Sequence, residues 1–132
     1  MIRAASRLFA IIVVSVFAST ATAQDVNVTP LFKTDLKDMV GREGTMSVID
    51  LAPGVSSDVH RHNAHVFVYV LEGSVVMQVK GGEPTVLNAG QTFYENPDDI
   101  HTVSKNASET EPAKFLAVLV KPKESPSVVP VP

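Results

Sequence analysis

Short runs of β-branched and aromatic residues recur along the chain, and this repetition constrains its fold more than any other feature. Turn-forming residues separate the runs, as in Ala52-Pro53-Gly54 and Asn88-Ala89-Gly90. Apolar runs bounded by Gly, Pro, Asn and Asp predict β-strands. The predicted strands are Thr45–Leu51, His65–Leu71, Ser74–Val79, Thr85–Leu87, Gln91–Glu95, His101–Ser104 and Phe115–Val120. Seven or more strands at this spacing predict an all-β sandwich or barrel.

The segments between and beyond these runs predict a few further features. Thr34–Val40 has a weak helical pattern, with Asp35 to cap the helix and Gly41 to end it. Two tight hairpin turns are predicted at Glu72-Gly73 and at Lys80–Glu83. Val128–Pro132 predicts an extended tail rather than a closing strand, because proline cannot donate to a β-ladder. We therefore expect a flexible C-terminal segment over about residues 122–132.

The first 23 residues have the pattern of a secretory signal peptide. Arg3 and Arg7 supply positive charge, Leu8–Ala18 is an unbroken apolar run, and Ala-Thr-Ala precedes Gln24 as a cleavage site. A membrane-spanning helix needs about 20 apolar residues, so this run is too short to be an anchor. The sequence predicts a periplasmic or secreted protein that starts at Gln24 and is free of the membrane after cleavage.

Composition narrows the function of residues 24–132, which have the length of one small domain. The chain of 132 residues contains no cysteine, which excludes disulfides and thiolate-bound zinc. Its net charge is -3 and its lysines and arginines are scattered, so no basic surface for nucleic acid is expected. A small domain without disulfides relies on its core, on oligomerisation or on a metal. We expect a small-molecule ligand, and a homodimer formed through sheet edges or an outer sheet face.

Three of the four histidines lie in the stretch VHRHNAHVFVYVLEG, at the start of a predicted strand. Residues two apart on a strand point to the same face, so His60 and His62 project side by side. Neutral imidazole is the commonest side-chain metal ligand, which makes this pair half of a metal site. The alternative is a pair of exposed or singly hydrogen-bonded histidines.

The residues around this pair resemble the two motifs of the cupin superfamily, over about residues 54–106. Gly54 stands six residues before His60, Gly73 closes the first motif, and Gly90 opens the second, which ends at His101. The resemblance implies a jelly roll, also called a double-stranded β-helix barrel, over residues 24–132. It also implies one divalent transition metal ion, which the sequence does not identify among Fe, Mn, Ni, Cu and Zn. The metal ligands that it implies are His60, His62 and His101.

The sequence departs from the motifs at the position of the usual carboxylate ligand, where Val66 stands. Asn96 and Asp98 take the proline and glycine positions of the second motif, and Asn106 lies one residue beyond the expected asparagine. Four alternatives remain open at this point. The metal is held by three histidines and water; His65 replaces the carboxylate; Glu95 or Tyr94 reaches the site; or no metal binds.

Strand parity favours some of these alternatives over others. Val66, Val68 and Val70 share the parity of His60 and should form an apolar inner wall, which favours a small or hydrophobic ligand. His65 has the opposite parity and should face solvent, unless a bulge at Asn63-Ala64 turns it inward. Glu95 lies beside a turn and is expected to be a surface carboxylate.

Two classes of function follow from the resemblance. The first is a metal-dependent enzyme, namely an oxygenase, isomerase or lyase that acts on a small molecule. No lysine, tyrosine or carboxylate of the motif region can be assigned as a general base, so the catalytic residues are unknown. The alternative is a non-catalytic module that binds a metal or a small molecule. A further hypothesis is a purely structural scaffold without a functional site, and the three intact histidines argue against it.

Overall fold

The computed structural model describes residues 26–132, which form ten strands in two antiparallel sheets. The first sheet has the order β1-β2-β9-β4-β7 and the second has the order β10-β3-β8-β5-β6. The strands are β1 Asn27–Asp35, β2 Arg42–Leu51, β3 His60–Arg61, β4 His65–Glu72, β5 Ser74–Val79, β6 Thr85–Asn88, β7 Thr92–Glu95, β8 His101–Asn106, β9 Ala113–Pro122 and β10 Val129–Pro130. Residues 26–132 contain no helix, and hence none that could cross a membrane. The predicted all-β jelly roll is confirmed.

The core lies between the two sheets, where strands of both turn alternate residues inward. In β4 the buried residues Val66, Val68 and Val70 alternate with exposed ones, and in β9 buried residues alternate with half-buried ones from Ala113 to Lys121. This alternation is the pattern of a strand with one buried face. All seven predicted strands lie within observed strands, apart from Gln91, which precedes β7. Burial of the inward residues therefore fixes the register of both sheets.

The predicted helix over Thr34–Val40 is wrong. Thr34 and Asp35 end β1 and pair with Gly44 and Glu43 of β2. The chain then reverses in tight turns, in which the Leu36 amide donates to the Arg42 carbonyl and the Met39 amide to the Leu36 carbonyl. Pairing along all of β2 outweighs the weak local helical preference, as tertiary contacts commonly do.

Glu72-Gly73 is a turn, but it does not close a hairpin as predicted. β4 belongs to the first sheet and β5 to the second, so this turn carries the chain from one sheet to the other. Gly73 has φ +68°, and a Cβ atom there would lie 2.5 Å from the Pro112 carbonyl oxygen. The corner therefore needs glycine both for its backbone conformation and for its close approach to a neighbouring segment. The predicted turn at Lys80–Glu83 does join a hairpin, formed by β5 and β6.

The C-terminal segment is extended, but it also carries a strand that the sequence did not predict. Val129 and Pro130 form β10 and pair with Arg61 and His60 of β3. β10 is the edge strand of the second sheet, where a residue without an N–H group is tolerated. The segment thereby lies against the strand that carries the first motif histidine.

Candidate metal centre

The three motif histidines come together at one end of the space between the sheets. His60 and His101 are register partners on β3 and β8, and His62 follows β3 directly. The ring centroid of His60 lies 4.8 Å from that of His62 and 5.1 Å from that of His101. One ligand atom from each of the three rings lies within 4.8 Å of the others, and the group could hold a metal ion.

Backbone carbonyls fix the orientation of two of the rings. The Nδ1 atom of His60 lies 2.7 Å from the Asp58 carbonyl oxygen, and that of His62 lies 2.5 Å from the Ser127 carbonyl oxygen. A carbonyl oxygen only accepts, so in both rings Nδ1 carries the proton and donates. Each neutral ring then has its lone pair on Nε2, and the two Nε2 atoms face each other at 3.2 Å. Two lone pairs at this separation repel each other, and a cation between them would satisfy both.

Glu95 completes the cluster from the opposite sheet. It is the last residue of β7 and pairs with Val66 of β4, so both side chains point inward. Its Oε1 atom lies 3.3 Å from Nδ1 of His101, and its Oε2 atom lies 3.9 Å from Nε2 of His62. The expectation of a surface carboxylate is wrong, because the Glu95 side chain is only 2% exposed. The carboxylate missing at position 66 is thus present on the neighbouring strand.

Burial shifts the pKa of several groups in the cluster towards the uncharged form. Burial, helped by the carboxylate of Asp99, raises the pKa of Glu95 to about 7. Burial and then the neighbouring His60 and His62 rings lower the pKa of His101 to about 3. Burial also lowers the pKa of His62. At neutral pH these two histidines are therefore in the neutral form that a metal needs, since only a deprotonated nitrogen can ligate.

The cluster contains buried polar atoms that have no partner among residues 26–132. Both ring nitrogens of His101 and the Oε2 atom of Glu95 make no hydrogen bond within this part of the chain. Buried polar atoms without partners are costly and often mark a missing ion. In a tetrahedral or octahedral site with metal–nitrogen bonds of about 2.1 Å, neighbouring donor atoms lie about 3.0–3.4 Å apart. Two of the spacings, 3.2 and 3.3 Å, fit that range, so the residues fit a divalent metal.

His65 and Tyr94 lie outside the cluster, on the outer face of the first sheet. His65 is exposed, and its Nδ1 atom lies 2.6 Å from the Tyr94 hydroxyl. The chain breaks from strand geometry at Asn63, which has φ 50°, but Ala64 and Val66 remain buried on either side of His65. The bulge that would have turned His65 inward is therefore absent, and the predicted outward orientation is confirmed.

A cavity of about 650 Å³ opens from the cluster into the space between the sheets. Val66 and Val68 line it, as parity predicted, together with Phe115 and Ala117 of β9. Val128 and Pro130 of the C-terminal segment close one side of it. The arrangement places a candidate metal centre at the wall of a pocket of the size that small molecules occupy.

Asn106, close to the asparagine position of the second motif, has a structural role. It is buried, and its Nδ2 atom donates to the carbonyls of Leu51, Ala52 and Glu111. Its Oδ1 atom accepts from the Ser108 amide. The side chain thus ties the end of β2 to the loop at Ser108–Glu111.

Comparison with protein families finds one match, and it includes the motif region. The family model described as the cupin domain matches residues 47–119, which contain the three histidines and Glu95. No curated protein matches the chain. Among solved structures, TT1209 from Thermus thermophilus is 27% identical with a TM-score of 0.60, and the match covers 76% of this chain and 87% of that one.

Two enzymes are also structurally similar, at identities that establish the fold alone. An oxalate oxidase solved with the substrate analogue glycolate is 22% identical with a TM-score of 0.63, and the match covers 87% of this chain and 65% of that one. The DMSP lyase DddQ from Ruegeria pomeroyi DSS-3 is 17% identical with a TM-score of 0.58, and the match covers 67% of this chain and 43% of the lyase. This chain therefore spans less than half of the lyase. Because the family model covers more than half of its 132 residues, the chain belongs to the cupin family.

Proposed function

We propose that the protein is a metal-dependent enzyme that acts on a small molecule bound at a four-residue metal centre. The ligands in this proposal are His60, His62, His101 and Glu95. The observation that carries it is the juxtaposition of this cluster, with its partnerless buried atoms, and the 650 Å³ cavity. A divalent ion bound there supplies Lewis acidity and, if it is redox-active, chemistry with O2. The reaction class, whether oxygenation, isomerisation or elimination, follows from the metal and the substrate.

The chain's own residues have separate tasks in this proposal. The carbonyls of Asp58 and Ser127 hold two imidazole rings so that Nε2 faces the metal. Val66 and Val68 keep water from the inner wall. Glu95 neutralises one charge of the ion, and its position opposite Val66 replaces the usual carboxylate of the motif.

A non-catalytic binding module is the second candidate, and one observation favours it. Once Glu95 is a metal ligand, the described cavity wall offers only Asp58 as a further carboxylate, and no lysine or tyrosine. Proton transfer by a protein side chain is then hard to assign. Catalysis without a separate general base would rest on the metal and its bound water.

Metal analysis of single-residue variants tests the proposal. Purified wild type should contain close to one equivalent of a transition metal, and His60→Ala, His62→Ala and His101→Ala should each lose it. His65→Ala is the matched control and should retain the metal, because its ring lies on the outer face. Retention by all four variants would contradict the site. Iron or copper with O2 consumption supports the enzyme, whereas zinc without turnover supports the binding module.

We further propose that the protein is a homodimer, formed through the outer face of the first sheet. One apolar row crosses all five strands of that face: Phe32, Met46, Val118, Phe67 and Tyr94. The next row adds Val48, Leu116 and Tyr69. Phe67 is 50% exposed and Tyr69 45% exposed, which is unusual for adjacent large aromatics on a monomer.

The size of this face suits a second copy of the chain. The five strands lie about 4.8 Å apart and average about eight residues, so each contributes about four outward positions spaced about 6.8 Å apart, and the face covers ~600 Å² per subunit. Two such faces bury ~1,200 Å², the lower bound of a stable specific interface. Sedimentation of wild type should give a dimer mass at micromolar concentration, and Phe67→Glu should give a monomer. Val86→Glu, on the outer face of the second sheet, is the control and should stay dimeric. A wild-type monomer would contradict the proposal.

Export is proposed on the sequence alone, because the predicted signal peptide lies outside the described residues. The positive residues, the apolar run and the cleavage site support removal of residues 1–23 and release into the periplasm or medium. N-terminal sequencing of the protein from its native host should begin at Gln24. A chain that still begins at Met1 would contradict export by this route.

A further inference from the structure

The cavity beside the candidate metal centre lacks the positively charged side chains that most anion-binding sites contain. Its described lining includes no lysine and no arginine, and its two carboxylates belong to Asp58 and Glu95. The remaining polar side chains apart from the histidines are the serines Ser56, Ser57 and Ser104. An anionic group bound in this cavity can therefore be neutralised only by the metal.

The charge of the centre limits how many anionic groups a ligand can carry. A divalent ion held by three neutral histidines and one carboxylate has a net charge of +1. One anionic head group on the metal brings the centre to neutrality. A second anionic group would be buried against valines and Phe115 without a counter-charge, at a large cost in binding.

The walls favour an apolar body on the same ligand. Ile49, Val66, Val68, Phe115, Ala117 and Val128 face the cavity from both sheets and from the C-terminal segment. Four of these, Val66, Val68, Phe115 and Ala117, are less than 10% exposed and lie on the adjacent inner strands β4 and β9. Apolar groups that displace water from such a wall gain affinity in proportion to the area that they bury.

From these observations we propose that the ligand is an apolar molecule with a single anionic metal-binding head, such as a monocarboxylate or the enolate of an apolar ketone. This inference rests on the proposed metal centre and specifies its substrate class. It excludes dicarboxylates and phosphorylated compounds as good ligands. The cavity volume of about 650 Å³ accommodates a body of several carbon atoms, within the range of about 300–1,000 Å³ of small-molecule pockets.

Calorimetric titration of the zinc-loaded full-length protein with a carboxylate series tests the proposal. Affinity should rise about 4-fold per methylene from acetate through butyrate and hexanoate to octanoate, as burial of each group predicts. Adipate has the same chain length as hexanoate and a second carboxylate, and it should bind on the order of 100-fold more weakly than hexanoate. Equal affinities for hexanoate and adipate, or no dependence on chain length, would overturn the proposal.

A cavity-filling variant shows whether the chain-length effect arises in this cavity. Ala117→Phe should remove most of the advantage of octanoate over acetate, while zinc content stays unchanged because Ala117 is not among the proposed metal ligands. Ala107→Phe, at an exposed position outside the cavity, is the matched control and should behave as wild type. If Ala117→Phe does not fold, the wild-type series alone decides the outcome.

The results separate this inference from the proposed metal centre. If zinc fails to bind, or binds without the three histidines, both proposals fail. If zinc binds through the histidines but adipate matches hexanoate, the metal centre stands and only the ligand class is wrong.

Discussion

Two glutamates are buried in this fold, and their surroundings are opposite. Glu43 accepts a hydrogen bond from the Lys121 ammonium group, and Lys33 Nζ lies 3.2 Å from its other oxygen. Glu95 is buried to a similar degree but faces histidines. The hydrogen bond from Lys121 holds the pKa of Glu43 below its usual value, whereas burial raises the pKa of Glu95 to about 7.

The difference between these surroundings indicates different roles for Glu43 and Glu95. The fold supplies its own cations to Glu43, and the resulting ion pair joins β2 to β9. At Glu95, residues 26–132 supply no ammonium or guanidinium group within ion-pair distance. A buried carboxylate kept without a protein cation beside three histidines is suited to an ion from outside.

Removing the charge of Glu43 should cause the largest loss of stability. Glu43→Gln leaves the buried Lys121 ammonium without its carboxylate, so the melting temperature of the metal-free protein should fall markedly. Glu95→Gln should leave that temperature unchanged or raise it, because it removes a buried acid that has no cation. Glu83→Gln, at an exposed turn, is the control. Equal destabilisation by Glu43→Gln and Glu95→Gln would break the contrast.

The stability of the fold should depend on pH through the ionisation of Glu43. Its pKa is lowered in the folded state, so its stabilising contribution is present above the unfolded pKa of 4.5 and is lost as pH falls through the folded value. The gap in melting temperature between wild type and Glu43→Gln should therefore be full at neutral pH and close at acidic pH. Thermal denaturation of metal-free protein at a series of pH values measures it. A constant gap across the series would mean that the carboxylate is not ionised in the fold.

Removal of the C-terminal segment should weaken the metal centre without unfolding the core. Deleting residues 126–132 removes the Ser127 carbonyl that accepts from His62 and the Val128 and Pro130 walls of the cavity. Loss of such an orienting partner should lower metal affinity by about 10–100-fold. Ser127→Ala keeps the carbonyl and should bind like wild type. Competition titration with a chelator measures both variants, and full affinity in the truncated protein would show that the segment does not orient His62.

The double variant that exchanges Glu95 with its cross-strand partner Val66 should show the smallest change in metal affinity. Val66 and Glu95 are opposite each other and point to the same face. Glu95→Val should therefore lose most of the metal affinity, whereas the double variant Val66→Glu/Glu95→Val should recover most of it. The same chelator competition distinguishes the two. A double variant as weak as the single one would mean that the carboxylate acts only from β7.

Much of the fold and three of the four proposed metal ligands could be predicted from the sequence. β-Branched runs between turn residues defined seven strands, and the motif spacing brought His60, His62 and His101 together. The strand and turn patterns are local in the sequence, and the spacing of the three histidines resembles that of the cupin motifs. β1 was missed because its polar residues and Pro30 show no strand pattern, and only its pairing with β2 makes it a strand.

The depth of Glu95 and the role of the C-terminal segment could not be predicted in the same way. Phe93 and Tyr94 are both aromatic, so the short β7 run does not reveal which face is buried, and its pairing with Val66 decides that. The Ser127 carbonyl is a backbone group, and any residue type at that position would supply it. Long-range register and backbone acceptors leave no pattern in a single sequence.

The proposed ligand set can be observed in a crystal of the full-length protein loaded with Co²⁺, by anomalous scattering at the cobalt edge. We predict one strong peak at about 2.0–2.2 Å from a ring nitrogen of each of His60, His62 and His101 and from one oxygen of Glu95. A peak at His65, or a fully loaded protein with no peak among these four side chains, would contradict the proposed centre.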